Sequence, residues 1–167
     1  PISPTAWDGS KLFVSFIDDY THFAMVYLIK KKSEVFDKFK EFEAVVVAQF
    51  GTKISKLTVD QGREYKSNDM AQFCKNKGIQ ILETMAYSPQ QNGVAERFNR
   101  TAVEKVRCLL LDAGNPKFLW GEALYTSVYI INRSPSQALQ TNKTPAEMWF
   151  GKIPDLGKLR IFGCEAF

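Results

Sequence analysis

Two carboxylates stand where their types and spacing could do chemistry. Asp60 closes the short strand-like run "ISKLTVD" and is followed by Gln61-Gly62, a pair that lets the backbone turn sharply and a ligand come close. Glu96 follows the polar stretch "SPQQNG" at the start of a helical pattern. Positions 61 to 95 separate the two, which is room for one helix, one strand and a loop that return the second acid to the end of the Asp60 strand. Facing carboxylates, with a third from a neighbouring strand, hold Mg²⁺ through hard oxygen ligands. In two-metal phosphoryl transfer the ions lie roughly 3.5 to 4 Å apart and serve the attacking and the leaving oxygen. Taken singly, each acid has an ordinary explanation. An Asp at a strand end caps its own turn, and a Glu on a first helical turn is favoured by the helix dipole. Only the spacing joins them.

The residues around Glu96 suit a polyanion. Gln90, Gln91 and Asn92 can hydrogen-bond base edges or phosphates, and Gly93 frees that loop to move. Arg97, Arg100, Lys105 and Arg107 add cations, with Arg100 one turn beyond Glu96 and on its face. Arg97 and Lys105 equally fit a solvated helix face. The formal charge of +4 permits a nucleic-acid partner without demanding one.

The elements that must position these groups follow from hydrophobic period. Lys11 to Asp18 and Phe23 to Ile29 are apolar runs rich in β-branched and aromatic residues across the turn "DYTH", and predict an antiparallel hairpin. From Ser33, a plausible N-cap, Val35, Phe36, Phe39, Phe42, Val45, Val46 and Phe50 recur at helical spacing until Gly51. Ile54 to Asp60 reads as a strand, Asn68 to Lys77 as a helix with Met70, Phe73 and Cys74 inward, and "IQILET" as a strand. Pro89 to Gly93 reads as a loop, Val94 to Ala113 as a long helix stopped by "GNP", and Phe118 to Asn132 as a further helix. Thr144 to Glu147 forms a capping box, and "IFGCEAF" is a strand-like tail. The order implies an α/β domain with a mixed sheet, whose ligands gather at the carboxyl ends of parallel strands.

At 167 residues with 45% apolar and 24% charged residues, the chain is neither disordered nor collagen-like. Three scattered cysteines and one histidine match no zinc spacing and point to a reducing compartment. No apolar run is long enough for a membrane span, so no membrane partner is expected, and no signal pattern opens the chain. It begins at Pro1 and ends on an apolar run, as expected of a piece of a longer polypeptide.

The motifs "TVDQGREY" at 58–65, "YSPQQNGVAERFNRT" at 87–101, "FIDDYTH" at 16–22, "FLWGEAL" at 118–124, "INRSPS" and "KTPAEMWFGKIP" resemble the catalytic core of retroviral-type integrases, and most closely that of copia-type retrotransposons. The resemblance runs nearly end to end. It implies an RNase H-like fold over 1–133, with 134–167 as an extension, and an Asp, Asp, Glu triad that binds Mg²⁺ or Mn²⁺. It implies a polynucleotidyl transferase and endonuclease that processes DNA 3′ ends and joins them to target DNA, as a homo-oligomer, in the nucleus after a cytoplasmic particle stage. Carried over, Asp60 is the second acid and Glu96 the third, with Tyr87, Gln90, Gln91, Asn92, Arg97, Arg100 and Lys105 toward DNA. The family's first acid lies a few residues ahead of the Pro-Ile seen here as Pro1-Ile2, so the first strand is truncated, and Asp8, Asp18 and Asp19 do not take that role. Gln61 stands where the family commonly has Asn or Arg. Because only two acids are present, a second expectation is a non-catalytic DNA-binding or assembly module from a decayed or truncated element. An RNase H or junction-resolving nuclease on the same fold is a third, less well matched by the loop and downstream motifs.

Overall fold

The computed structural model describes residues 2–60, 62, 67–83, 89–136, 139 and 142–164, with the side chains of 89–92 outside that description. Strands β1 (Leu12–Ile17) and β2 (Ala24–Ile29) pair antiparallel, Leu12 opposite Ile29 and Ile17 opposite Ala24. Their turn is made by Asp18, whose Oδ2 accepts from the Thr21 amide at 2.8 Å and the Thr21 hydroxyl at 2.7 Å. The period of two splits the hairpin into two apolar faces. Val14, Phe16 and Ile29 join one buried cluster, while Ala24 and Val26 join the other with Phe13 and Leu28 packed against it. Helices cover both faces.

Helix α1 (Val35–Phe50) lies on the first face, with Phe39 fully buried and Phe42 stacked on Phe16 at 5.0 Å. Its start differs from the Ser33 cap expected from sequence. A 3-10 turn over Lys32–Glu34 comes first, and the Glu34 carboxylate accepts from the backbone of Lys30 at 3.3 Å and Lys31 at 3.0 Å. Glu34 stands third in this turn and closes a capping box back onto Lys31, so Ser33 falls inside the turn and not at its cap. Gly51 ends the helix at φ 64° as expected, although Val45 and Phe50 are substantially exposed rather than inward.

Strands β3 (Lys56–Val59) and β4 (Gln80–Glu83) pair in parallel, joined by α2 (Asn68–Lys77), which buries Met70 and Cys74. A parallel pair needs such a crossover. Both pairings of a mixed sheet are present, but among the described residues they form two separate two-stranded ladders.

Helix α3 (Pro89–Asp112) starts five residues earlier than expected: the stretch Pro89 to Gly93, read as a loop, is its first turn. Proline's fixed φ and missing N–H suit the first helical position, and this outweighs the turn-like composition that follows. Helix α4 (Trp120–Arg133), entered through a 3-10 turn at Lys117–Leu119, packs on α3, where the Ser127 hydroxyl donates to the Ala102 carbonyl at 3.1 Å. Asn132 closes the outer edge of β2: its Oδ1 accepts from the Ala24 amide at 2.9 Å and its Nδ2 donates to the Ala24 carbonyl at 2.8 Å. Helix α5 (Pro145–Phe150) is capped by Thr144 and lays Trp149 on Phe23 at 4.7 Å. Beyond it, no strand forms among the described tail residues, which turn at Gly163 and leave Ile161 exposed.

Candidate functional site

Between the two ladders lies a cavity of about 300 Å³, lined from β1 by Leu12 to Ser15, from the end of β3 by Thr58, Val59 and Asp60, and from α3 by Ala95 and Asn99. Ile29, Lys32 and Val35 complete its wall. The expected return path therefore exists: the chain leaving Asp60 comes back through α2 and β4 so that α3 meets the end of β3. Helix α3 is tied there by one long-range bond, in which the Ser15 hydroxyl donates to Asn99 Oδ1 at 2.9 Å. Asn99 and Ser15 were not singled out from sequence. The available signal was Ser15 as the one hydroxyl in the apolar run "LFVSFI", and Asn99 three positions after Glu96, hence on its face.

Asp60 is exposed and uses Oδ1 to accept the Gly62 amide at 3.0 Å, the turn-capping role open to any such Asp. Glu96 is exposed and sits seven residues into α3, not on its first turn, so the dipole explanation for it fails. Its neighbours Ala95 and Asn99 line the cavity, whereas Glu96 itself does not. Among the described residues, no group of three His, Cys, Asp or Glu side chains is gathered to hold a metal ion. Asp8 is occupied at home, its carboxylate accepting from the Ser10 amide at 2.8 Å and the Ser10 hydroxyl at 2.9 Å. With Asp18 likewise committed to the hairpin turn, neither supplies a third acid to the cavity.

The cations divide. Gly93 is helical rather than a hinge, and Arg97 folds back over it, a guanidinium nitrogen 3.0 Å from where a Cβ would stand. Arg100 and Arg107 are exposed on α3, and Lys105 is half-buried. Gln90, Gln91 and Asn92 lie on the helical backbone with their side chains outside the described part, and Tyr87 lies outside the described residues altogether, as do Gln61, Arg63 and Glu64. The three cysteines are unbridged, and burial pushes the Cys74 thiol above its ordinary pKa. Among the described residues no helix is long and apolar enough to cross a membrane.

With this geometry the chain aligns to known proteins along its whole length. The integrase core domain family matches residues 2–89. A retrovirus-related Pol polyprotein from transposon TNT 1-94 of Nicotiana tabacum is 44% identical over 167 residues, which is 100% of this chain and 12% of that protein. The corresponding polyprotein from transposon RE2 of Arabidopsis thaliana is 34% identical over 160 residues, 96% of this chain and 11% of its own length. This chain thus spans about a ninth of the curated relatives it matches. The HTLV-2 integrase catalytic core domain, in a trimeric form in complex with magnesium, superposes with a TM-score of 0.61 at 18% identity over 81% of this chain and 82% of that one. The fold is therefore the RNase H-like one of retroviral integrase cores, and the chain belongs to the integrase core domain family.

Proposed function

We propose that this chain is the core of a copia-type retrotransposon integrase that cuts and joins DNA through phosphoryl transfer. The observation that carries the proposal is the convergence of the Asp60 strand end and the Glu96 helix on one cavity, within an integrase core fold. Asp60 and Glu96 supply hard carboxylate oxygens suited to Mg²⁺ or Mn²⁺, which binds through one or two carboxylates and keeps several waters. When bound, the ions supply charge stabilisation at the attacking and leaving oxygens. The chain's own part is positional. The Ser15–Asn99 bond holds α3 against β1, which fixes where Glu96 stands relative to Asp60. Arg100 and Lys105, with Arg97, attract the phosphates, and Gln90, Gln91, Asn92 and Tyr87 contact the element's DNA end in this reading.

The third carboxylate comes from a strand seated in the cavity between β1 and β3. The separation of the two ladders supports this, because an extended segment placed there would pair with both and join them into one mixed sheet. In this reading the first acid precedes Pro1-Ile2 in the parent polyprotein. The joining event involves element ends and target DNA, proceeds in a homo-oligomer, and takes place in the nucleus after a cytoplasmic particle stage.

The test uses the chain with its natural upstream residues, Mn²⁺ and labelled DNA ends. Glu96→Gln and Asp60→Asn should each abolish joining while leaving the urea unfolding midpoint unchanged, since both side chains are exposed. Undiminished joining by either variant would overturn its assignment as a metal ligand. The second reading, a non-catalytic DNA-binding module, is favoured by the lack of a three-acid cluster among the described residues. Calorimetric titration of this chain with Mg²⁺ separates the two: tight binding argues against the non-catalytic module.

A further inference from the structure

We propose that the lysine-rich end of the β1–β2 hairpin, together with Trp7, is a docking surface for a DNA strand with unpaired bases. Lys30, Lys31 and Lys32 follow β2, and Lys11 precedes β1, its amide donating to the Ile29 carbonyl at 3.1 Å. All four are exposed at one end of the hairpin. It is the end that faces the cavity, where Ile29 and Lys32 share a wall with Asp60. Among the described residues, neither Lys30 nor Lys31 is paired to a carboxylate.

Glu34 and Asp8, near this end, spend their carboxylates on local hydrogen bonds. Glu34 directs both carboxylate oxygens to the Lys30 and Lys31 amides, and Asp8 directs both of its own to Ser10. The Glu34 clamp holds the turn, so the lysines are presented from a fixed backbone. The loop at 6–10 adjoins that turn: the Lys30 stem passes 3.7 Å from where a Cβ on Gly9 would stand. Trp7 projects from this loop with 78% of its surface exposed. It is held by its amide, which donates to the Phe118 carbonyl at 3.0 Å, and by the Phe118 ring at 5.8 Å.

Trp120 and Trp149 are buried, at 4% and 3% exposure, so Trp7 is the exception in its class. A fixed aromatic face beside exposed ammonium groups matches single-stranded nucleic acid, whose phosphates meet the cations while a base stacks on the ring. An intact duplex hides its base faces and gains only the charge contribution. The proposal rests on the function proposed above only for the partner's being DNA.

Trp7 supplies its own probe. This chain, titrated with a mixed-sequence single-stranded oligodeoxynucleotide and with its duplex, should show quenching of tryptophan fluorescence by the single strand. Trp7→Phe should remove the quenching, and Trp7→Ala should weaken single-strand binding, followed by anisotropy, about tenfold while affecting the duplex little. Lys30→Gln with Lys31→Gln should lower the slope of log affinity against log salt by about 0.7 for each lysine. Saturation by the oligonucleotide without a change in Trp7 emission, an unchanged salt slope, or quenching by anionic lipid vesicles but not by DNA would each overturn the surface. Glu96→Gln should lose joining yet keep the quenching, so failure of the metal site and failure of this surface are read separately. Thermal melts of all variants should coincide with that of the parent chain, because every altered side chain is exposed.

Discussion

The β1–β2 hairpin has two edges, and the molecule treats them in opposite ways. The outer edge, on β2, is closed by Asn132, which satisfies both the amide and the carbonyl of Ala24 from a helix 108 positions away in the chain. The inner edge, on β1, faces a cavity of about 300 Å³ and, among the described residues, is bridged to α3 by the bond from the Ser15 hydroxyl to the Asn99 amide oxygen. An exposed strand edge invites pairing with whatever strand comes near, and folded proteins close it unless it has a use. On the function proposed above, the inner edge is the one in use, since the cavity it borders is also where Asp60 and the Glu96 helix converge.

Three substitutions break or sharpen this contrast. The largest effect falls on what both edges share: Phe39 has no exposed surface beneath the hairpin, and Phe39→Ala should cost about 3–5 kcal/mol, read as a lower urea midpoint. A selective effect comes from Asn132→Ala, which strands a buried amide and carbonyl at Ala24 and should cost about 2–4 kcal/mol. Amide exchange should locate that loss at Ala24 while the β3–β4 ladder keeps its protection. Stability equal to the parent would show that the outer edge needs no closing. The smallest effect is Ser15→Ala, about 1 kcal/mol. It is also the most informative, because loosening Asn99 should reduce DNA joining more than it reduces stability.

Much of this was legible from the residues. The hairpin, α1, α2 and α4 announce themselves through periods of two and of three to four, and Gly51 and Gly78 mark helix ends at φ 64° and 69°. What escaped depends on contacts distant in sequence or on two local rules in competition. The start of α3 was misplaced because Gln90 to Gly93 have the composition of a turn, while Pro89 ahead of them is a good first helical residue. Ser33 is not the cap because it falls inside a 3-10 turn, Lys32–Glu34, whose capping box Glu34 closes onto Lys31. The Asn132 clip and the Ser15–Asn99 bond span 108 and 84 positions, beyond any local pattern. For the site, spacing brought Asp60 and the Glu96 helix to one cavity, but it could not show that Asp60 spends one oxygen on Gly62 or that Glu96 does not itself line the cavity.

The early start of α3 has a consequence of its own. A helix running unbroken from Pro89 to Asp112 is a rod about 36 Å long, and every charge along it keeps a set distance from Glu96. Arg100 lies roughly 6 Å further along the axis and Arg107 roughly 16 Å. What the early start adds is that the backbone of Pro89 to Asn92 also keeps a set distance from Glu96. On the function proposed above, the rod is a ruler against which DNA would register its phosphates.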